Sequence, residues 1–199
     1  MDGNKTIGQR KSELRSEIRA RLAGMTPQVL SAESAQLRER LEARREWKEA
    51  ASVLFYAPIQ AEPDIWPLIS TALAAGKVAA LPWFSVADGK YHASRVRNLE
   101  TDVVTGQFGI REPVTGCGAE ALKRLDLILV PGVGFDSCCR RLGRGKGFYD
   151  QILAVVEGRK CGVGFDEQIV DGIPLEPHDI ALNCILTPTR WIEPSAVGL

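Results

Sequence analysis

A short segment between residues 140 and 147 combines basic side chains with closely spaced glycines. Its cations are Arg140, Arg141, Arg144 and Lys146. Its glycines are Gly143, Gly145 and Gly147. Glycine lets a ligand approach the backbone and tolerates positive φ, while guanidinium and ammonium groups supply positive charge. Together they predict a site for a multiply charged phosphate ligand; the alternative is a solvated basic turn without a ligand.

Two common phosphate-binding motifs do not match this loop. A P-loop requires Ser or Thr after Gly-Lys, whereas Lys146 is followed by Gly147. The dinucleotide fingerprint requires G-x-G-x-x-G, whereas the glycines here are spaced G-x-G-x-G. The sequence therefore excludes both motifs as they are defined.

A predicted strand and a predicted helix flank the loop. Residues Leu127 to Val130 form an uninterrupted apolar run, which is typical of a strand covered on both faces. From Phe148 to Val156 the apolar residues are spaced as in a helix. We therefore expect a ligand outside the carboxyl end of the strand and against the helix N-terminus, where backbone N–H groups favour anions.

The remaining pattern predicts an α/β fold of three layers, α/β/α, with a mostly parallel sheet, an edge hairpin and N-terminal helices. Helices are expected over about residues 8–46, the second of them starting at Thr26-Pro27, and over 64–75 and 119–125. Strands are expected at 52–57, 77–81, 161–165 and 184–186, a hairpin at 84–96 and a loop at 106–117. We expect residues 1–199 to form a single domain.

Composition limits the classes of function. Lys and Arg number 25 against 25 Asp and Glu, and the pI is near 6.7, which argues against bulk attraction to nucleic acid or anionic membranes. The sequence contains neither an apolar stretch long enough to span a membrane nor an apolar signal core, so we expect a cytoplasmic location. Five cysteines without C-x-x-C spacing and two histidines argue against disulfides and a zinc site.

Several motifs, in this order along the chain, resemble the 5-formyltetrahydrofolate cyclo-ligase (methenyltetrahydrofolate synthetase) family. They are KSELR at 11–15, QAE at 60–62, FGIREP at 108–113, LVPGVGFD at 129–136, RLGRGKGFYD at 141–150 and PHD at 177–179. The resemblance covers nearly the whole chain and implies an enzyme that requires ATP and Mg²⁺. It implies conversion of 5-formyltetrahydrofolate to 5,10-methenyltetrahydrofolate with release of ADP and phosphate. We expect a monomer whose partners are these small molecules, with no nucleic acid or membrane.

The resemblance also implies roles for individual residues. Arg144 and Lys146 are the expected catalytic cations beside the transferring phosphoryl group. The expected ATP-binding residues are Lys11, Arg15, Arg141, Leu142, Gly143, Arg144, Gly145, Lys146, Gly147, Phe148 and Tyr149. The expected folate-binding residues are Ala57, Glu62, Arg144, Gly145, Lys146, Gly147 and Phe148. Asp150 and Asp179 are the expected Mg²⁺ ligands.

Most of these residues also have an interpretation without a ligand. On this interpretation Lys11 and Arg15, spaced i and i+4, lie on one ordinary helix face that is exposed to solvent. Glu62 is then an exposed loop acid, Asp150 a first-turn acid that complements the helix dipole, and Asp179 a loop or capping residue. Tyr149 either stacks on adenine or pterin or lies in the core.

The chain departs from the family pattern at the entrance to the loop. Cys138, Cys139 and Arg140 replace the small Gly-Asn turn that is usual in the family, which leaves the geometry of this entrance open. Trp83 and Asn183 also differ from the residues common at their positions. Three alternative functions remain open: a paralogue acting on another phosphorylated or formylated small molecule, a sugar-phosphate isomerase or acyl transferase, and a non-catalytic nucleotide- or folate-binding regulator.

Overall fold

The computed structural model describes residues 5–106, 109–114, 117–145, 147–177 and 179–194, so Lys146 lies outside the described residues. The α-helices are α1 (Ile7–Ala23), α2 (Pro27–Ala43), α3 (Arg45–Glu49), α4 (Trp66–Ala74) and α5 (Phe148–Leu153). Thr26 caps α2 by accepting the Val29 N–H at 3.3 Å, and Pro27 occupies the first turn. The predicted N-terminal helices are confirmed.

Short strands connect these helices. They are β1 (Ser52–Leu54), β2 (Val78–Ser85), β3 (Lys90–Val96), β4 (Val103–Thr105), β5 (Arg111–Pro113), β6 (Ala119–Glu120), β7 (Leu127–Pro131), β8 (Gly134–Asp136), β9 (Arg141–Leu142), β10 (Arg159–Val163), β11 (Ile169–Val170), β12 (Cys184–Leu186) and β13 (Trp191–Ile192). Within the described residues, eight of them form a central sheet in the order β13-β12-β10-β7-β1-β2-β3-β6. Strands β12, β10, β7, β1 and β2 run parallel, and β2 and β3 form the predicted hairpin.

Strand β7 lies at the centre of the sheet and is buried on both faces. Leu127 and Leu129 belong to one hydrophobic cluster, which they share with α2 and α4. Ile128 and Val130 point the opposite way, into a second cluster that includes Ile152 of α5. Helices therefore cover both faces, which confirms the three-layer prediction and explains why the strand shows no alternation of polar residues.

Helix α1 lies outside these layers, against the segment that carries the glycine loop. Ile18 and Leu22 of α1 pack with Leu142 and Phe165 in a third cluster. Strands β11, β8 and β9 form a small separate sheet at the same place. Burial of this apolar face fixes the N-terminal helix beside the loop.

Two predictions at the far edge of the sheet are wrong. The sequence predicts a helix over residues 119–125, but Ala119 and Glu120 pair with β3 and only Leu122–Arg124 forms a 3-10 helix. It predicts a loop over residues 106–117, but β5 pairs with β4. Strands of two or three residues are too short to show a period of 2, so their conformation depends on pairing with a neighbouring strand.

In the described part of the chain, no helix combines the length and apolarity needed to cross a bilayer.

Candidate functional site

The candidate site lies where the sheet changes direction. From β1 the chain crosses to β2 on one side, whereas from β7 it crosses to β10 on the other side, and β1 and β7 are parallel neighbours. Connections that leave in opposite directions open a crevice at the carboxyl ends of the two strands. The segment after β1 carries Ala57 and Glu62, and the segment after β7 carries the glycine loop. The topology thus brings the two sets of expected binding residues to one place.

Glu62 and Arg144 meet across this crevice, although they are 82 residues apart in sequence. Arg144 donates from Nη2 to Oε1 of Glu62 at 2.8 Å. The Glu62 side chain is only 6% exposed, whereas that of Arg144 is 46% exposed. Glu62 is therefore not an exposed loop acid, and the alternative interpretation of this residue is wrong.

A tight turn holds Glu62 in place. The Glu62 N–H donates to the Ile59 carbonyl at 3.0 Å, and the Ile59 N–H donates to Oε2 of Glu62 at 3.1 Å. Ala61, between them, has φ of 64°, in the left-handed region that residues with a side chain rarely occupy. Such local strain is found preferentially at binding loops. Ala57 is partly buried at the start of this segment.

The environment of Glu62 disfavours its charged form. Burial raises the pKa of Glu62, and the guanidinium of Arg144 together with the Ile59 N–H offsets only part of that effect. A buried carboxylate at the edge of the crevice therefore needs hydrogen-bond donors around it. An N–H group of a ligand is able to replace one of these donors.

Helix α1 contributes two cations to the site. Lys11 donates to Asp179 at 2.6 Å and to Glu176 at 2.7 Å, and its side chain is 7% exposed. One turn later, Arg15 donates from Nε to the Gly143 carbonyl at 2.7 Å. The i, i+4 face therefore turns toward the glycine loop, and the interpretation of Lys11 as part of a solvated face is wrong.

The ion triad around Lys11 stabilises the ammonium form. Burial by itself lowers the pKa of Lys11, but the hydrogen bonds and charges of Asp179 and Glu176 outweigh it and raise the pKa above its usual value. Asp179 also accepts the Glu176 N–H at 2.7 Å, which closes a turn. The loop role of Asp179 and its contact with Lys11 are therefore both present.

Arg141 and Tyr149 form the inner wall of the loop. The guanidinium of Arg141 is hydrogen-bonded to the Asp150 carboxylate, and its side chain is 6% exposed. The same guanidinium lies 5.9 Å from the centre of the Tyr149 ring. Tyr149 packs against both main hydrophobic clusters, and burial raises the pKa of its hydroxyl. This packing supports the core interpretation of Tyr149.

Two of the three loop glycines adopt the positive φ that the sequence predicts, whereas Gly143 does not. Gly145 has φ of 91° and Gly147 has φ of 68°, and Gly147 is the N-cap of α5. The hydrogen bond from Arg15 to the Gly143 carbonyl holds the start of this loop. The Arg144 side chain is 46% exposed at this loop, whereas that of Arg141 is only 6% exposed.

The entrance to the loop is built around Asp136, a residue to which the sequence assigned no role. Its buried carboxylate accepts the N–H groups of Cys138, Arg140 and Ile173, each at 3.0 Å. Cys139 has φ of 57° and its side chain is buried. The cysteine-containing turn thus keeps the left-handed conformation of a glycine-type turn. An Asp at the end of a strand, immediately before a turn, was the available signal.

Aromatic side chains of the hairpin extend the site in a way that the sequence did not indicate. Phe148, which is 46% exposed, lies 5.7 Å from the ring of Tyr91, and Tyr91 lies 5.2 Å from Phe84. Phe84 and Tyr91 are paired across the hairpin. The signal in the sequence is the register of the hairpin, since residues directly opposite each other lie on one face.

The carboxylates suit a metal ion that takes most of its ligands from elsewhere. Among the described residues, no group of three or more His, Cys, Asp and Glu side chains is arranged to hold a metal ion. Asp150 is bonded to Arg141, and Asp179 to Lys11. Mg²⁺ is commonly held by one or two carboxylates together with phosphate oxygens and water, so the chemistry of these two side chains is compatible with such an ion.

Comparisons with known proteins agree with one another. The model of the 5-formyltetrahydrofolate cyclo-ligase family matches residues 7–188. A 5-formyltetrahydrofolate cyclo-ligase of Mycolicibacterium smegmatis is 32% identical, over 92% of this chain and 95% of that protein. The mouse enzyme of the same name is 28% identical, over 91% and 95%. The NMR structure of the 5,10-methenyltetrahydrofolate synthetase of Aquifex aeolicus superposes with a TM-score of 0.84 at 31% identity, covering 95% of each chain.

Proposed function

Because the chain belongs to the 5-formyltetrahydrofolate cyclo-ligase family, we propose that it uses ATP to close 5-formyltetrahydrofolate to 5,10-methenyltetrahydrofolate, with release of ADP and phosphate. The chain is an enzyme, and cyclo-ligase activity is the activity named for its relatives. The observation that carries the proposal is the contact of Arg144, from the glycine loop, with Glu62, from the segment after β1. It supports one crevice that serves both substrates.

The difficult step is the loss of the formyl oxygen, which is a poor leaving group. In the proposed reaction this oxygen attacks the γ-phosphorus of ATP, and the bond from that phosphorus to the oxygen of ADP breaks. N10 of the folate then attacks the activated formyl carbon and loses its proton. Phosphate departs with the former formyl oxygen. The protein's contribution is to align these atoms and to neutralise charge.

Arg144 is the proposed catalytic cation within the described residues, and Lys146 remains the second expected one. Arg144 is exposed enough to reach a phosphoryl group, and glycines on both sides leave room for a ligand. Arg15, through its bond to the Gly143 carbonyl, positions the loop. A preorganised donor of this kind typically contributes about 2.7–4 kcal/mol to transition-state stabilisation.

Glu62 and the aromatic rings are proposed to hold the folate. The buried carboxylate of Glu62 is an acceptor for the N–H groups of a pterin ring. The exposed Phe148, with Tyr91 and Phe84 beside it, offers an apolar aromatic surface to a ring of either substrate.

Magnesium is proposed to be held by Asp150 and Asp179 together with the phosphates of the nucleotide. When bound, the ion would neutralise phosphate charge and orient the γ-phosphoryl group. Asp150 and Asp179 would then exchange part of their contact with Arg141 and Lys11 for contact with the metal.

A spectrophotometric assay tests the proposal. Purified protein is incubated with 5-formyltetrahydrofolate, MgCl₂ and ATP, and the absorbance of the methenyl product is followed; ADP is measured in parallel. We expect one ADP per methenyl product, and no product when ATP is left out. Folded protein that binds ATP but forms no product would instead be a regulator, and product from another formylated compound alone would indicate a paralogue.

A further inference from the structure

The pair of Glu62 and Arg144 joins the residue proposed for folate to the residue proposed for phosphate. We propose that this ion pair couples the two substrates: either ligand breaks the pair when it binds, and the other ligand then binds more tightly. The inference rests on the proposed function, from which it takes both ligands. It concerns how binding is regulated and not whether the reaction occurs.

Both carboxylate oxygens of Glu62 are occupied in the structure. Oε1 accepts from Arg144 at 2.8 Å, and Oε2 accepts from the Ile59 N–H at 3.1 Å. The Ile59 bond belongs to the tight turn, and the Glu62 side chain is only 6% exposed. Each oxygen could accept a second hydrogen bond, but so little of the Glu62 side chain is exposed that a pterin N–H and the Arg144 guanidinium compete for access to the carboxylate.

Arg144 faces the same competition from the nucleotide side. Its side chain is 46% exposed and lies between Gly143 and Gly145, so it has room to turn toward a phosphoryl group. If it leaves, Glu62 loses the cation that offsets its burial, and an unpaired buried carboxylate is costly. A nucleotide that binds alone must overcome this cost, whereas one that binds after folate finds Arg144 already released.

Thermodynamic linkage makes the effect reciprocal and measurable. If each ligand binds only molecules whose ion pair is open, the apparent Kd of the first ligand is its intrinsic Kd divided by the open fraction, whereas the second ligand binds with its intrinsic Kd. Folate and nucleotide must then increase each other's affinity by the same factor. A variant without the pair should gain that factor for nucleotide even when folate is absent.

Binding of a non-hydrolysable ATP analogue with Mg²⁺, measured by isothermal titration calorimetry, tests the coupling in wild type and in Glu62→Gln. The amide has the size of the carboxylate and can still accept the Ile59 N–H, while it removes the charge. We expect saturating 5-formyltetrahydrofolate to tighten analogue binding by wild type about fivefold or more, at the lower end of known couplings. We expect Glu62→Gln to bind the analogue tighter than wild type by a similar factor without folate, and to respond little to folate.

Two further variants make the result decisive. Arg144→Gln opens the pair from its exposed partner and should bind folate more tightly than wild type when nucleotide is absent. Glu49→Gln removes a carboxylate that is paired with Arg45 on the surface, and it should behave as wild type does. A residue that only contacts folate gives no gain in nucleotide affinity when it is changed to Gln.

The coupling is disproved if Glu62→Gln and Arg144→Gln, both folded by circular dichroism, each bind the opposite ligand no better than wild type. It is equally disproved if folate leaves the wild-type affinity for the analogue unchanged. Either result with intact production of methenyltetrahydrofolate removes the coupling and leaves the proposed function standing. Absence of product together with absence of folate binding removes both.

Discussion

Arg144 combines two properties at the scale of single residues: its side chain is 46% exposed, and it contacts a buried acid. Its neighbour Arg141 has the same charge but is buried against Asp150. Two guanidinium groups three residues apart therefore have different environments. The exposed one is suited to a ligand that comes and goes, and the buried one to holding the loop.

Replacement of Arg144 by Ala should lower turnover about 10²- to 10³-fold with the fold retained, because the transferring phosphoryl group loses a preorganised donor. Steady-state kinetics and circular dichroism measure the two effects. Arg45→Ala, which removes a guanidinium paired with Glu49 on the surface, is the matched control and should keep wild-type kinetics. Unchanged turnover in Arg144→Ala would exclude this residue from the mechanism.

The raised pKa of Glu62 predicts a pH-dependent effect on stability. Folding favours the protonated form of Glu62, so its charge destabilises the native protein at any pH above the raised pKa. Below its ordinary pKa, near 4.5, the group is protonated in both states and the effect vanishes. Glu62→Gln, which resembles the protonated acid, should therefore melt at a higher temperature than wild type at pH 7.5, and the difference should shrink toward pH 4.5.

Thermal unfolding of both proteins across this pH range measures the effect. Glu49→Gln, which removes an exposed carboxylate, serves as the control. If Glu62→Gln proves less stable than wild type at pH 7.5, the contact with Arg144 outweighs the burial of the carboxylate, and the predicted direction of the effect is wrong.

At the scale of elements, helix α1 contacts two separate segments of the candidate site. Lys11 reaches the turn that contains Asp179, and Arg15 reaches the glycine loop. The apolar side chains of α1 face the core of the loop segment, as Ile18 does. The helix thus contacts both the turn that contains Asp179 and the glycine loop, and it holds the two beside each other.

Removal of the Lys11 ammonium should affect both stability and the nucleotide. In Lys11→Met, Asp179 and Glu176 lose the ammonium group that donates to both. We expect the free energy of unfolding to fall by about 1–3 kcal/mol. The loss is smaller than the roughly 3–5 kcal/mol of a fully buried pair because Glu176 is partly exposed. The apparent KM for ATP should rise more than that for folate. Denaturant unfolding and kinetics measure these effects, with Lys5→Met, whose partner is the exposed Glu13, as the control. A rise in the KM for folate alone would show that Lys11 supports folate binding and not ATP binding, which would contradict this prediction.

The success of prediction differed between elements for a physical reason. Helix α2 and strand β7 were predictable because a capping Thr26 and a run of buried aliphatic side chains are local signals. Strand β6 was missed because Ala119 and Glu120 are extended only through pairing with β3. A pattern of two residues contains no period, and its conformation depends on the neighbour.

At the scale of the whole molecule, the central position of β7 links stability to the site. The strand is bonded to β1 on one side and to β10 on the other, and the glycine loop follows from its carboxyl end. A change in the interior of this strand therefore acts on the entire sheet.

Leu129→Ala should destabilise the protein by about 2–5 kcal/mol, because Leu129 is fully buried and its removal leaves a cavity in the main cluster. Leu175→Ala, at a position that is 45% exposed, should cost far less. Urea unfolding of both variants provides the comparison. Equal losses would show that Leu129 does not lie in the packed centre.

The sequence by itself determined the local chemistry: a buried strand, a glycine loop with cations, a helix with Lys11 and Arg15 on one face, and motifs that identify the family. Only the tertiary structure decided which charges meet. Arg144 and Glu62, or Lys11 and Asp179, are brought together by the order of parallel strands and by the packing of α1. Periodicity and propensity act over a few residues, whereas these contacts depend on which way the chain crosses after β1 and β7.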